Sequence, residues 1–125
     1  MYIDDYYTDH WKHIEDERFS RYKKMFIWNE RQLDLLSPAD ICPGQTILDL
    51  GSGPGSLTYG LSRLVGPSGT MHGVDINERF VSLANEKYKG EKNIHFQQIN
   101  DHLLPFDSGV FDRVICKNVL EYVPD

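Results

Sequence analysis

Three glycines at alternate positions, with a carboxylate just ahead of them, make residues 47–55 (ILDLGSGPG) the part of the sequence best suited to holding a ligand. Asp49 interrupts the apolar run, and Gly51, Ser52, Gly53 and Gly55 form the turn that follows. Glycine lets the backbone take positive φ and removes Cβ atoms from where a ligand must approach. Such a turn between a strand and a helix is how α/β proteins make a floor for a nucleotide-like molecule, and it is expected to gather several free backbone N–H groups at the positive end of a helix dipole. A second carboxylate, Asp75, closes another apolar run and is followed by Ile76; its two oxygens match the two vicinal hydroxyls of a sugar. The pair Asn100-Asp101 precedes Leu104-Pro105-Phe106, and Cys116-Lys117-Asn118 ends a further apolar run.

Each of these residues also has an ordinary structural use. Glycine serves any tight turn, Asp75 can cap the helix beginning at Asn77, and Asp101 can form an Asx turn. Asp49 is costly to bury unpaired, so the amides of the glycine loop are its expected partners, whether it contacts a ligand or only stiffens the loop.

These groups need a scaffold that brings them to one edge. From Gln45 onward, short β-like runs alternate with helical ones, the pattern of βαβ units and a parallel sheet. The spacing predicts strands at 46–50, 70–74, 93–99 and 111–116. A helix over 56–64 has Leu57, Leu61 and Leu64 on one face and is closed by the turn at 66–69. A second helix, capped by Asn77, runs to Tyr88 with Phe80, Val81, Ala84 and Tyr88 inward and Gly90 ending it. Right-handed crossovers order the strands 3-2-1-4. A short helix is expected near Asn118.

Ahead of Gln45, the apolar residues Phe19, Tyr22, Met25, Phe26, Leu33 and Leu36 recur at helical intervals, predicting one or two amphipathic helices that stop at Ser37-Pro38. Residues 1–40 are read as a helical segment and 41–125 as the ligand-binding unit. The aromatic side chains of Tyr2, Tyr6, Tyr7, Trp11, Phe19, Tyr22, Phe26 and Trp28 either close over a ligand as a lid or pack against the sheet as core. The first residues, to about Thr8, are expected to be disordered unless they fold over a ligand.

A chain of 125 residues that is 40% hydrophobic and 26% charged, with formal charge −6, has room for one modest core and lacks the broad basic surface that nucleic acid requires. No apolar run approaches the roughly 20 residues of a membrane span, and the start MYIDDYYTDHW has no basic stretch leading into an apolar one, so a cytoplasmic location is expected. Cys42 and Cys116 lack metal-binding or disulfide spacing and are expected as free, buried or half-buried thiols. His10 and His13 find no further metal ligands, and His72, His95 and His102 fall on strands or in the loop after the third; no metal site is expected.

In order, ILDLGSGPG, Asp75, Asn100-Asp101 ahead of Leu104-Pro105-Phe106, and FDRVICKNVLEYVPD at 111–125 resemble the successive motifs of class I S-adenosylmethionine-dependent methyltransferases, over residues 45–125. The resemblance implies a three-layer, Rossmann-like α/β fold, here a partial parallel sheet of strand order 3-2-1-4 with N-terminal helices. It implies S-adenosyl-L-methionine as cofactor and transfer of its methyl group, here read as going to a small molecule. Asp49, Gly51, Ser52, Gly53 and Gly55 would then meet the methionine part and sugar, Asp75 and Ile76 the ribose, and Cys116, Lys117 and Asn118 the methionine tail and methyl group. Counting back from Leu104 without a gap puts Asn100 at the family's acidic position beside adenine, whereas side-chain chemistry favours Asp101.

Glu121 and Tyr122 face either a substrate or solvent, and no general base is assigned. Ser56 stands where a GxGxxG fingerprint has its third glycine, a departure from the NAD pattern. Two rivals remain: a non-catalytic S-adenosylmethionine-binding module that joins a partner through an open sheet edge, and a fragment of an NAD-dependent oxidoreductase. The family continues with three more strands, so strand four is expected to be an exposed apolar edge open to self-association or a partner chain, and activity of the isolated chain is left open.

Overall fold

β-Branched and aliphatic residues supply the strands, and glycine or asparagine punctuates the connections between them. The computed structural model describes residues 12, 14–25, 30–100 and 104–116. In chain order it has helices α1 (Asp16–Met25) and α2 (Gln32–Leu36), a 3-10 turn (Ser37–Ala39), then β1 (Thr46–Leu50), α3 (Ser56–Val65), β2 (Thr70–Asp75), α4 (Glu78–Lys87), β3 (Ile94–Gln98) and β4 (Arg113–Ile115). The strands pair in parallel in the order β3-β2-β1-β4, as the crossover rule predicts.

The register sorts side chains into two faces. Ile94, Met71, Ile47 and Arg113 form one row, and Phe96, Gly73, Asp49 and Ile115 the next row towards the carboxyl ends of the strands. This face carries the main core: Ile47, Met71, Ile94 and Ile115 pack with Leu61 and Val65 of α3, flanked by Leu36, Ala39, Ile41 and Tyr59. On the other face Leu48 and Val74 join Ile99, with Leu50, Ile76, Phe106 and Phe111 packed against them.

α3 turns a broader face inward than the leucine spacing suggests. Thr58, Gly60, Leu61, Ser62 and Val65 are buried, while Leu57 and Leu64 are only half-buried at its flanks. α4 follows expectation: the Asn77 side chain accepts from the Phe80 N–H at 2.9 Å, and Phe80, Val81 and Ala84 are buried. Tyr88 ends that helix, its ring stacked on Tyr59 at 4.9 Å. Ser37-Pro38 does not simply stop α2 but tightens the chain into the 3-10 turn, where proline's fixed φ is tolerated.

β4 is shorter than expected, yet Asp112 just ahead of it stays tied to β1, its N–H donating to the Thr46 carbonyl at 2.8 Å. Asp112 accepts the Thr46 N–H at 2.8 Å, tying the start of β1, and Phe111 packs edge-on against Phe106 at 4.9 Å. β4 lies at one edge of the sheet, and its Val114 is 56% exposed.

The N-terminal segment is held to the first turn of α4 by Arg79. Its guanidinium lies 4.0 Å from the Phe19 ring centroid, pairs with Asp16 at 2.8 Å and donates to the Ile14 carbonyl at 3.3 Å, and Phe19 stacks on Phe80. The ion pair is exposed and contributes little, so the ring contacts carry the docking. Phe19 is thus a packing residue. Tyr2, Tyr6, Tyr7, Trp11, Phe26 and Trp28 lie outside the described residues, as do His10, His13 and the helix expected near Asn118; the side chain of Tyr22 is likewise not described. Cys42 and Cys116 are half-buried thiols, not joined in a disulfide. No helix among the described residues is long and apolar enough to cross a membrane, and no group of three or more His, Cys, Asp or Glu among them is placed to hold a metal ion.

His72 lies beside His95 at 5.1 Å and edge-on to Phe106 and Phe111 at 5.5 Å each. Burial, and then the neighbouring His95, lower its pKa below the ordinary 6.5. The folded chain therefore holds fewer protons here than the unfolded one. Stability from this site is present above the ordinary value and is lost as pH falls through the depressed one. Thermal melts between about pH 7 and about pH 5 are expected to show a shallower loss of Tm for His72→Gln than for the parent chain.

Candidate functional site

β1 runs straight into the glycine loop, which folds back over the end of β2. Gly51, Gly53 and Gly55 take φ of 77°, 55° and 91°, the region that side chains with a Cβ rarely adopt. The N–H groups of Gly51 and Ser52 both donate to the Val74 carbonyl, at 2.8 and 2.9 Å; that of Gly53 donates to Asp75 Oδ2 at 2.9 Å, and that of Gly55 to the Ser52 carbonyl at 3.1 Å. Pro54 has none to offer. The expected free amides are therefore not found at residues 51–55, because β2 and the loop itself use them. The loop offers a ligand shape rather than donors.

Its glycines serve two different ends. A Cβ on Gly55 would lie 2.6 Å from the Phe96 ring, and one on Gly73 would lie 2.7 Å from the same ring and 2.9 Å from Ser52 Cβ, so these two make room for close packing. A Cβ on Gly53 would meet nothing within 4 Å. Gly53 itself is buried, so this space lies within the loop. Ser52 is 8% exposed, and its hydroxyl has no hydrogen-bond partner among the described residues.

The two carboxylates sit differently. Asp49, 2% exposed, lies on the helix-covered face, where the Thr58 hydroxyl donates to its Oδ2 at 2.6 Å. Asp75 is half-buried at the end of β2, and its oxygens accept from the N–H groups of Asn77 at 2.8 Å and Gly53 at 2.9 Å. It thus does brace the turn into α4. Each carboxylate oxygen has two lone pairs, so bracing leaves acceptor capacity for a ligand's hydroxyls. Burial raises its pKa, and the N–H donors of Asn77, Gly53 and Ile76 oppose that rise.

The carboxyl edge gathers most of the residues picked out in the sequence. Ile99 N–H donates to the Asp75 carbonyl at 3.0 Å, and the Gln98 side chain to that of Ile76 at 3.3 Å, which brings exposed Asn100 beside Asp75 and Ile76. Asp49 pairs in register with Ile115, so Cys116 follows next to the base of the loop. Asp101, Lys117, Asn118, Glu121, Tyr122 and His102 lie outside the described residues. Three contributors escaped the sequence reading: Thr58, Phe96 and Gly73. A glycine inside a strand is a sign of close backbone approach, and Gly73 carried that signal.

A family model described as "Methyltransferase domain" matches residues 41–125. The chain belongs to this family. The chain is 38% identical over 106 residues to the demethylmenaquinone methyltransferase of Lactococcus lactis, covering 83% of this chain and 41% of that protein. To the ubiquinone/menaquinone biosynthesis C-methyltransferase UbiE of Vibrio cholerae it is 38% identical over 86 residues, 66% of this chain and 33% of the relative. The chain therefore spans well under half the length of these curated relatives. Among solved structures, a SAM dependent methyltransferase from Aquifex aeolicus superposes with a TM-score of 0.69 at 27% identity, covering 78% of this chain and 55% of that one. The methyltransferase domain thus has the Rossmann-like α/β fold, with the candidate site at the carboxyl edge of its sheet.

Proposed function

We propose that residues 41–125 are the S-adenosylmethionine-binding part of an enzyme that methylates a small molecule, and that residues 1–40 form a helical segment laid against it. The observation that carries this reading is the glycine loop itself. The amides of residues 51–55 are bound within the protein, while a Cβ added to the buried Gly53 would meet nothing within 4 Å. A pyrophosphate needs amide donors there, whereas the uncharged sugar and methionine chain need only close approach. This favours S-adenosylmethionine over NAD.

The residues present fit that cofactor. Gly53 leaves room for it, the Ser52 hydroxyl is a buried polar group still to be matched, and Asp75 retains acceptor capacity for a ribose. Asn100 or Asp101 would meet the adenine amine, and Cys116, Lys117 and Asn118 the methionine end. When bound, S-adenosylmethionine supplies an activated methyl group, whose transfer depends chiefly on proximity and alignment.

The names of the two curated relatives support a quinone-type acceptor, and an acidic chain without a basic stripe is consistent with a small molecule. The exposed Val114 on β4 favours a second reading of that edge as a place where further strands, a second copy or a partner chain pairs.

Calorimetry with S-adenosylhomocysteine and with NAD tests the cofactor. S-adenosylhomocysteine is expected to bind at least about tenfold more tightly. Tighter binding of NAD would sink the reading. A methyl-transfer assay with a demethylated quinone then separates an enzyme from a module that only binds.

A further inference from the structure

We propose that Thr58 is a positioning residue for the amino-acid end of the cofactor, acting through Asp49; this rests on the S-adenosylmethionine reading above. Strand alternation turns Asp49 to the helix-covered face, in a row with Phe96, Gly73 and Ile115. Nothing in that row can donate a side-chain hydrogen bond. A carboxylate 2% exposed in such company needs hydrogen-bond donors to replace its lost hydration. The amides of Gly51, Ser52, Gly53 and Gly55, its expected partners, are bound to Val74, Asp75 and Ser52. The Thr58 hydroxyl, on a residue with no exposed surface, donates to Oδ2 at 2.6 Å, the length of a charge-assisted bond.

Three features make this a fixed support. Thr58 is the third residue of α3, a helix of 10 residues, so the carboxylate lies at the positive end of the helix dipole. A β-branched side chain in a helix has few χ1 choices, so the backbone of α3 sets where the hydroxyl stands. The single hydroxyl proton given to Asp49 is unavailable to the carbonyl of the preceding turn, the usual acceptor for a threonine within a helix. α3 thereby fixes the orientation of Asp49 just ahead of Gly51, where an anion can face an ammonium group.

The test compares S-adenosylhomocysteine with 5′-methylthioadenosine, which has the same nucleoside and thioether but no amino-acid end. By calorimetry, Thr58→Val is expected to weaken S-adenosylhomocysteine roughly tenfold or more while leaving methylthioadenosine within about twofold. Thr58→Ser, which keeps the hydroxyl, restores the difference. In an Asp49→Asn background, Thr58→Val causes no further loss of selectivity.

Equal weakening of both ligands overturns the proposal, as does undiminished selectivity in Thr58→Val. Should Thr58→Val not fold, Thr58→Ala is read in the same way; if neither folds, the hydroxyl is purely structural and the proposal fails. A parent chain that binds both ligands equally well defeats this inference alone. One that binds neither defeats the cofactor reading along with it.

Discussion

Replacing Asp75 by alanine is expected to weaken S-adenosylhomocysteine by roughly 10- to 100-fold, the effect of losing hydrogen bonds to a charged acceptor at about 1.5–3 kcal/mol. The same change frees the Gly53 N–H, which Asp75 Oδ2 holds at 2.9 Å, so the loop loses a tie as well as the ligand a partner. pH separates the two effects. Burial raises the Asp75 carboxyl above its ordinary 3.8, with the N–H groups of Asn77, Gly53 and Ile76 pulling it back. The folded chain therefore binds this proton more readily than the unfolded chain. The stability contributed by the site is full below the ordinary value and is lost as pH rises through the raised one. Ligand affinity runs the opposite way, because the hydroxyls of a ribose need an ionised acceptor. On acidification the parent chain is expected to lose affinity earlier than an ordinary carboxylate would, while Asp75→Asn binds weakly with little dependence on pH. Calorimetry across that range checks this, and unchanged affinity in Asp75→Ala removes Asp75 from the site.

The second large effect separates two glycines of one loop. Gly55→Ala is expected to destabilise the fold by about 2–5 kcal/mol: about 1–2 for a left-handed backbone and about 1–3 for forcing a methyl group against the Phe96 ring. In a domain of this size that lowers Tm by roughly 10 °C or more. Gly53→Ala carries only the backbone part, because its Cβ enters open space. Its expected signature is a fall in Tm of roughly 3–10 °C, smaller than that of Gly55→Ala, and, at roughly tenfold or more, a loss of S-adenosylhomocysteine affinity. Thermal melts and calorimetry on the pair read both quantities. If Gly53→Ala binds as well as the parent, the loop is not a ligand floor.

The strands, their order and the Asn77 cap were legible because each depends on local spacing. An apolar run, a glycine turn and an asparagine three residues ahead of Phe80 carry their meaning within a few positions. What could not be read depends on register. The tie from Asp112 to the Thr46 amide joins residues 66 apart, and Phe96 reaches Gly73 and Gly55 only because β3 pairs with β2 where it does. Thr58 was hidden for a related reason. The apolar spacing of α3 emphasised Leu57, Leu61 and Leu64, whereas the buried carboxylate beneath the helix called for a hydroxyl in its first turn. The loop amides were misjudged because the Val74 carbonyl, which takes two of them, belongs to the neighbouring strand. In the N-terminal segment helical spacing was visible, yet the docking of Phe19 on Phe80 through Arg79 needed the fold.

The Val74 carbonyl also has a bearing on how quickly and how tightly a ligand is taken up. Because it anchors Gly51 and Ser52 while Asp75 anchors Gly53, the backbone of the floor is ordered in the bare protein. The conformational entropy of those residues is lost once, when the chain folds, and is not lost again at each encounter with a ligand.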